Sequence, residues 1–374
     1  MRRGLLALAA AALVACSAAV AAAAPPPPVV APSYIVRGGA GAVVLAARRP
    51  DVQRAPASMT KLMTVLVALE HAGLDDVVTV SPQAARVGES SVDLRAGEHL
   101  TVRDLAIAAL VPSANDAATA LAVYVGGGSI PRFVEMMNAK ARALGLTETH
   151  FENPHGLDQP GHVSSARDVT TLLTAALRNP FIRAWSTRST ATIAGGRTLT
   201  STDDLIGMLP LIGAKTGHTD NAGWSQVAAV ERDGVRITAS VLGAPSEAQR
   251  NADLGGLLAW GLAQYHRVEA VDTRVYGLAE TGYGRPPVKL VAPRRIVRTV
   301  RIGQPLVERV VVSSALALPV RRGQRAGEVR VFAGGRLIAR TPLVAAESVS
   351  AVGAPGKVAW YARRTVHHLF GLVS

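Results

Sequence analysis

A block of helix-like periodicity enclosed between strand-like runs constrains the fold of this chain more than any other feature. Residues 34–36 and 42–46 read as two short strands joined around Gly38-Gly39-Ala40-Gly41, a hairpin signal. A helix is expected from Ser58, since Met59, Met63, Leu66 and then Leu69 or Glu70 follow at helical spacing. Thr101-Val102-Arg103-Asp104 is a capping-box pattern that opens a second helix, and Pro112 closes it. Ser113-Ala114-Asn115 then falls in a tight connection before a helix over 116–125, stopped by Gly126-Gly127-Gly128. One more helix runs from near Pro131 to Gly145. Strands return at 211–219, 224–231 and 235–242, the last two joined around Asp233-Gly234, and 247–264 is again helical. Helices between flanking strands predict an α+β domain whose antiparallel sheet is assembled from both ends of the segment.

Beyond about Val268 the texture changes. Short β-rich runs at 288–291, 307–312 and 328–332 alternate with Gly and Pro turns, which reads as a small all-β domain. The expected divisions are an export signal over 1–24, a main domain over 32–267, a β-rich domain over 268–348 and an amphipathic helix over 356–374. In that last segment Val358, Ala362, Val366, Leu369 and Val373 share one face, while Lys357, Arg363, Arg364, His367 and His368 gather opposite. It is too short and too charged to span a bilayer. The readings are a helix docked on its own protein or, in an exported chain, one lying on a membrane surface.

Arg2 and Arg3 precede an apolar, Ala-rich run that offers small-residue cleavage near Ala21 to Ala24, the pattern of an export signal. A transmembrane helix is the alternative, but the run is Ala-dominated and ends in the Pro25 to Pro28 tract. Leu13-Val14-Ala15-Cys16 is similar to a bacterial lipoprotein cleavage box. Cys16 is the only cysteine among 374 residues, so a mature chain starting after it has no disulfide, thiol nucleophile or Cys-based metal site. A net charge of +13 suits an anionic partner, but the arginines are dispersed and aromatics are few, so nucleic acid is not expected.

Three short motifs carry chemistry. Ser58 and Lys61 stand at i,i+3, on one face of the expected helix. A hydroxyl is a poor nucleophile until its proton is taken, and a lysine with a lowered pKa can take it. Alone, the pair also fits a capping serine beside a solvated lysine. Ser113 and Asn115 could reach a shared cleft, one as proton relay and the other as a donor to a substrate amide. Lys215-Thr216-Gly217 lies on an expected strand: the lysine brings charge, the threonine a hydroxyl for a carboxylate, and Gly217 lets a substrate backbone come close. The three motifs in this order are the mark of β-lactamases and penicillin-binding proteins.

Residues 55–64 (APASMTKLMT), 112–117 (PSANDA), 151–168 (FENPHGLDQPGHVSSARD) and 215–223 (KTGHTDNAG) resemble the D-alanyl-D-alanine carboxypeptidases of peptidase family S11, the low-molecular-mass penicillin-binding proteins. The similarity runs from about Tyr34 to the tail. It implies a β-lactamase/transpeptidase-like domain acting on peptidoglycan stem peptides that end in D-Ala-D-Ala, covalent binding of β-lactam antibiotics, and no cofactor or metal. It also implies roles: Ser58 as nucleophile, Lys61 as base, the backbone N–H groups of Ser58 and His218 as oxyanion hole, Ser113 and Lys215 as the proton path to departing D-alanine. Thr216, assisted by Arg250, would bind the substrate carboxylate.

His155 and His162 could suggest metal ligands, yet they lie in a Gly- and Pro-rich loop without a matching ligand set, so loop ordering is expected. Asp158 and Asp168 read as loop and helix-cap partners. Two departures concern Thr202-Asp203-Asp204, where many members show an Asn-rich stretch, and Leu211-Ile212-Gly213-Ala214, which replaces an acid-containing approach to the Lys-Thr-Gly strand. A β-lactamase would need a deacylating glutamate in the loop after the second motif, and Glu135, Glu148 and Glu152 all precede His155. A catalytically silent wall-binding protein of the same fold is the other alternative.

Overall fold

The computed structural model describes residues 10–14, 24–39 and 41–370. Most of the export signal read over 1–24 lies outside the described residues, Cys16 included, as do Ala40 of the first turn and Val373 of the tail. The chain divides into two compact units, one over 24–264 and one combining residues 10–14 with 265–370 among those described.

Alternation along the first strands explains the layers of the larger unit. Ser33–Gly38 and Val43–Arg48 form the expected hairpin, and Ser33–Gly38 pairs with Val235–Ala244, which continues to Gly223–Arg232 and Leu211–Thr219. The five strands are antiparallel neighbours in the order second, first, fifth, fourth, third along the chain, so both ends of the segment meet in one sheet. Ile35 enters a core made by helices α1 (Lys61–His71), α2 (Val102–Leu110), α3 (Asn115–Val125), α4 (Ile130–Ala143), α5 (Ala166–Ala176) and α6 (Pro180–Trp185). Its neighbour Val36 points the other way, to α7 (Glu247–Ala263), as the two-residue period of a strand requires. Leu62, Met63, Leu105 and Leu121 are fully buried. Each such side chain contributes roughly 1.5–3 kcal/mol.

Local chemistry sets the helix ends. The expected capping box opens α2: Thr101 Oγ1 accepts from Asp104 N at 3.1 Å, and the Asp104 carboxylate accepts from Thr101 N at 3.3 Å. Helix α1, expected from Ser58, begins at Lys61 instead, after a 3₁₀ turn over Ala57–Thr60. Ala57 adopts a left-handed φ of 48°, and Met59 N donates to Pro56 O three residues back, so the first turn is tighter than an α-helix. Helices α5 and α6 and the hairpin of Thr190–Ile193 with Arg197–Thr200 were not anticipated by periodicity.

The second unit is all-β, as expected, with a terminal helix. Six antiparallel strands run in the order Ala10–Val14, Leu306–Val312, Arg325–Ala333, Arg336–Ala345, Val288–Val291, Val275–Ala279. Residues 10–14, read from sequence as part of the export signal, here cover an edge that would otherwise present unpaired backbone groups. Tyr265–Val271 pairs with Ile296–Arg301, and the unit packs around Val271, Leu290, Val329, Val331 and Leu343. Helix α8 spans Ala354–Phe370, with Trp360 edge-on to Tyr283 at 5.4 Å and Val358 68% exposed.

A Cβ on Gly261 of α7 would lie 2.7 Å from Ile237 Cγ2 and 3.3 Å from Val36 Cγ1. The Gly261→Val variant is therefore expected to push α7 off the sheet and lose about 1–3 kcal/mol of stability, read as a lower denaturation midpoint in urea.

Candidate active site

The 3₁₀ turn carries Ser58 to the junction of the sheet edge and the helical cluster, with its side chain partly exposed. One helical turn on, Lys61 is completely buried. Its Nζ donates to Ser58 Oγ at 2.8 Å, Asn115 Oδ1 at 2.7 Å and the His155 carbonyl at 2.7 Å. Three acceptors thus fix an amine in a dry site. Burial first, and then the charge of Lys215, hold Lys61 well below the ordinary lysine range, against the pull of Asp116 and Glu89. A neutral amine in that position can take the Ser58 proton along the same contact.

Asn115 N donates to Ser90 O at 2.7 Å, and its Nδ2 donates to Gly88 O at 3.0 Å. These bonds leave Glu89 between two anchored neighbours at the rim, exposed and with a left-handed φ of 64°. Asp116 holds the following segment by accepting from Ser91 Oγ at 2.7 Å and Leu94 N at 3.0 Å. Sequence reasoning overlooked Glu89 and Asp116. The acid directly after Asn115 at a helix start was a usable signal for the second; only topology reveals the first. Ser113 has a left-handed φ of 69°, and its buried hydroxyl makes no hydrogen bond among the described residues.

The Lys-Thr-Gly strand borders the serine from the other side. A Cβ on Gly217 would stand 3.1 Å from Ser58 N and 3.0 Å from Ala57 Cβ, so a larger residue would press on the turn that carries Ser58. Lys215 is 2% exposed and donates to Thr216 O at 3.2 Å. Burial lowers it to about 7, with Asp203 opposing and Arg250 adding to the shift. Thr216 Oγ1 lies 2.7 Å from Thr202 Oγ1. The His218 ring is exposed and stacks on Trp224 at 4.1 Å between centroids. Arg250 is 1% exposed and lies over Trp224; it pairs with Glu247 at 3.1 Å and donates to Asn251 Oδ1 at 2.7 Å.

The loop with both histidines is ordered by them and by Asn153. Gly156 N donates to Asn153 Oδ1 at 2.7 Å, and Gly156, at φ +97°, leaves no room for a Cβ, which would fall 2.0 Å from Ala57 O. Glu152 N donates to His162 Nδ1 at 2.9 Å, so the imidazole proton sits on Nε2 and reaches Thr60 Oγ1 at 2.8 Å. Asp158 accepts from Thr219 Oγ1, and Asp168 from Glu148 N and Thr149 Oγ1. Among the described residues no group of three His, Cys, Asp or Glu could hold a metal ion.

Comparison with known proteins places this geometry. Residues 19–246 match the family model Peptidase S11, described as D-alanyl-D-alanine carboxypeptidase. The D-alanyl-D-alanine carboxypeptidase DacD of Salmonella typhimurium is 34% identical over 83% of this chain and 84% of its own length. DacF of Bacillus subtilis is 30% identical over 83% of each. The crystal structure of penicillin binding protein 6B from Escherichia coli superposes with a TM-score of 0.64 at 30% identity, covering 86% of this chain and 97% of that one. Penicillin binding protein 5 from Haemophilus influenzae gives 0.63 at 28% identity, over 88% and 100%. The fold is that of the penicillin-binding peptidases. The chain belongs to peptidase family S11, the D-alanyl-D-alanine carboxypeptidases.

Burial, ahead of the Lys61 charge, lowers His155 to about 3, and burial, partly offset by Asp158, lowers His162 to about 4. Between pH 6.5 and those values the unfolded chain binds protons that the folded chain refuses, so this contribution to stability is lost as pH falls. At pH 5 each histidine costs up to about 2 kcal/mol. Thermal melts at pH 7.5 and 5 are expected to differ less for His162→Gln than for the unaltered protein.

Proposed function

We propose that the protein removes the terminal D-alanine from peptidoglycan stem peptides through an acyl-enzyme on Ser58, and that penicillin acylates the same hydroxyl. The reading rests on Lys61: a buried amine, 2.8 Å from Ser58 Oγ and held neutral by its surroundings, is what a serine needs to become a nucleophile at ordinary pH. Ser58 attacks the carbonyl between the two D-alanines, and Lys61 accepts its proton. The backbone N–H groups of Ser58 and His218 stabilise the oxyanion, an effect of about 2.7–4 kcal/mol per donor in well-built sites. Thr216 receives the terminal carboxylate in a region made positive by Lys215 and Arg250. Ser113 and Lys215 return a proton to the departing amine. Asn115 holds Lys61 through Oδ1 and keeps one Nδ2 hydrogen for a substrate carbonyl. Water then releases the acyl group.

A β-lactamase is disfavoured by the placement of the glutamates. Glu135 is exposed, Glu148 accepts from Gln53, and Glu152 pairs with His150 at 3.1 Å. With Ser58→Ala, covalent labelling by fluorescent penicillin and D-alanine release are both expected to vanish; survival of either would sink the assignment. Lys61→Met should fold, yet lose at least a thousandfold in acylation rate, in the manner of a missing general base.

Export by the N-terminal segment and contact with a membrane surface through α8 complete the reading. Val358 and Tyr361 of α8 are exposed. Residues 265–374 hold 18 of the 40 Lys and Arg but only 6 of the 27 Asp and Glu, which favours an anionic surface. No helix among the described residues is long and apolar enough to cross a membrane. Removing residues 357–374 is expected to free the protein from sedimenting membranes; unchanged sedimentation would point to lipid on Cys16.

A further inference from the structure

Residues 88–92 run along the rim of the site beside Asn115, and the backbone on both sides of Glu89 is tied down. Gly88 O accepts from Asn115 Nδ2 at 3.0 Å, and Ser90 O accepts from Asn115 N at 2.7 Å. Ser90 Oγ donates to Pro112 O at 3.1 Å, Ser91 Oγ to Asp116 Oδ2 at 2.7 Å, and Val92 N to the same carboxylate oxygen at 3.2 Å. Inside this clamp Glu89 has a φ of 64°, a left-handed conformation that is uncommon for a residue with a Cβ and persists where the surroundings compel it. The residue is exposed, and among the described residues its carboxylate makes no ion pair. A fixed backbone thus presents an unpaired negative charge between the two carbonyls that hold Asn115. Asn115 Oδ1 is in turn 2.7 Å from Lys61 Nζ, which is 2.8 Å from Ser58 Oγ, so Glu89 borders the same cleft.

We propose that Glu89 is a specificity-determining residue that favours stem peptides in which the residue just before D-Ala-D-Ala carries a free side-chain amine. The proposal rests on the acyl-transfer reading above and adds to it the chemistry of the substrate. In that reading one Nδ2 hydrogen of Asn115 takes a substrate carbonyl, and the terminal carboxylate goes to Thr216 beside Lys215 and Arg250. The acyl part of the peptide then lies on the Asn115 side, along residues 88–90, with its C-terminus at the cationic end. The charges match: Glu89 stands where a side-chain amine arrives, and the buried Lys215 and Arg250 stand where the carboxylate arrives. An ammonium entering a site that holds those two cations would otherwise be repelled. An amine already consumed as an amide, in a cross-link or by acetylation, forfeits the attraction. The preferred peptide is therefore one not yet joined to a neighbour through that amine.

Two peptides isolate the charge: Nα-acetyl-L-Lys-D-Ala-D-Ala, with a free side-chain amine, and its Nε-acetyl counterpart. Release of D-alanine gives kcat/KM for each. The unaltered protein is expected to favour the free amine by about three- to fivefold at low salt, the range of an exposed ion pair. That preference should shrink to below about twofold on going from about 20 mM to about 0.5 M NaCl, because salt screens a contact at the rim. In Glu89→Gln the ratio should fall to about 1 at either salt concentration. Because the Glu89 charge also reaches Lys61, both rates can move in that variant, and their ratio is the quantity that reports the substrate amine. Glu89→Lys should reverse the order and favour an Nε-succinyl peptide, whose side chain ends in a carboxylate, over the free amine. An unshifted melting midpoint shows that each variant is folded, and Glu89→Asn serves where Glu89→Gln does not accumulate, since asparagine tolerates a left-handed φ. Equal rates on the two peptides in the unaltered protein overturn the proposal, as does a preference that survives Glu89→Gln or ignores salt. D-alanine is still released in each of those cases, so the acyl-transfer reading stands. Release from neither peptide by the unaltered protein overturns that reading, and the proposal with it.

Discussion

The site depends on keeping one primary amine dry. Lys61 surrenders its hydration to three oxygens, one each from the turn that carries Ser58, the start of α3 and the histidine loop. Each element is held in place for that contact: the turn by the left-handed Ala57, α3 by the bonds from Asn115 and Asp116 to residues 88–94, and the loop by Asn153, His162 and Gly156. A solvated lysine on the same helix would stay protonated, because nothing in water disfavours its charge. Burial lowers its affinity for a proton, and the surrounding polar network makes burial tolerable.

Much of this was legible in the sequence. Period-two runs located the strands of the main sheet, and Thr101 with Asp104 located a helix start to the residue. The three motifs brought Ser58, Lys61, Asn115, Lys215, Thr216 and Gly217 to one place, because each carried a local conformational signal as well as a reactive group. The rest lacked such signals. The 3₁₀ turn before α1 depends on Ala57 and Ser58 packing against Gly156, a contact about a hundred residues away in sequence. Glu89 owes its place at the rim to backbone carbonyls on either side of it, and a carbonyl has no sequence identity. The fully buried Arg250 was expected near the carboxylate, but its attachment to Glu247 and Asn251 belongs to the helix surface and not to the motif.

Charge is partitioned between the two units. The larger one, where the chemistry resides, balances acids and bases closely, while residues 265–374 carry nearly all the excess of arginine and lysine. The smaller unit manages that excess internally: Arg325, Arg330 and Arg340 converge on the single Glu328. Arg309, Arg330 and Arg340 stand opposite one another on three adjacent strands, an arrangement that would be repulsive without that glutamate.

The assembly of the main sheet from both ends of its segment has a consequence in time. Ser58 and Lys61 enter the folding chain early, but the strand that closes the site is Leu211–Thr219. It hangs on Gly223–Arg232 and Val235–Ala244, and these must in turn find Ser33–Gly38 some two hundred residues back. Contacts of such sequence separation are slow to form. A nascent chain therefore carries Ser58 through synthesis with the Lys61 amine still wet and charged. The site around Ser58 and Lys61 is complete only when the last strand of the sheet arrives.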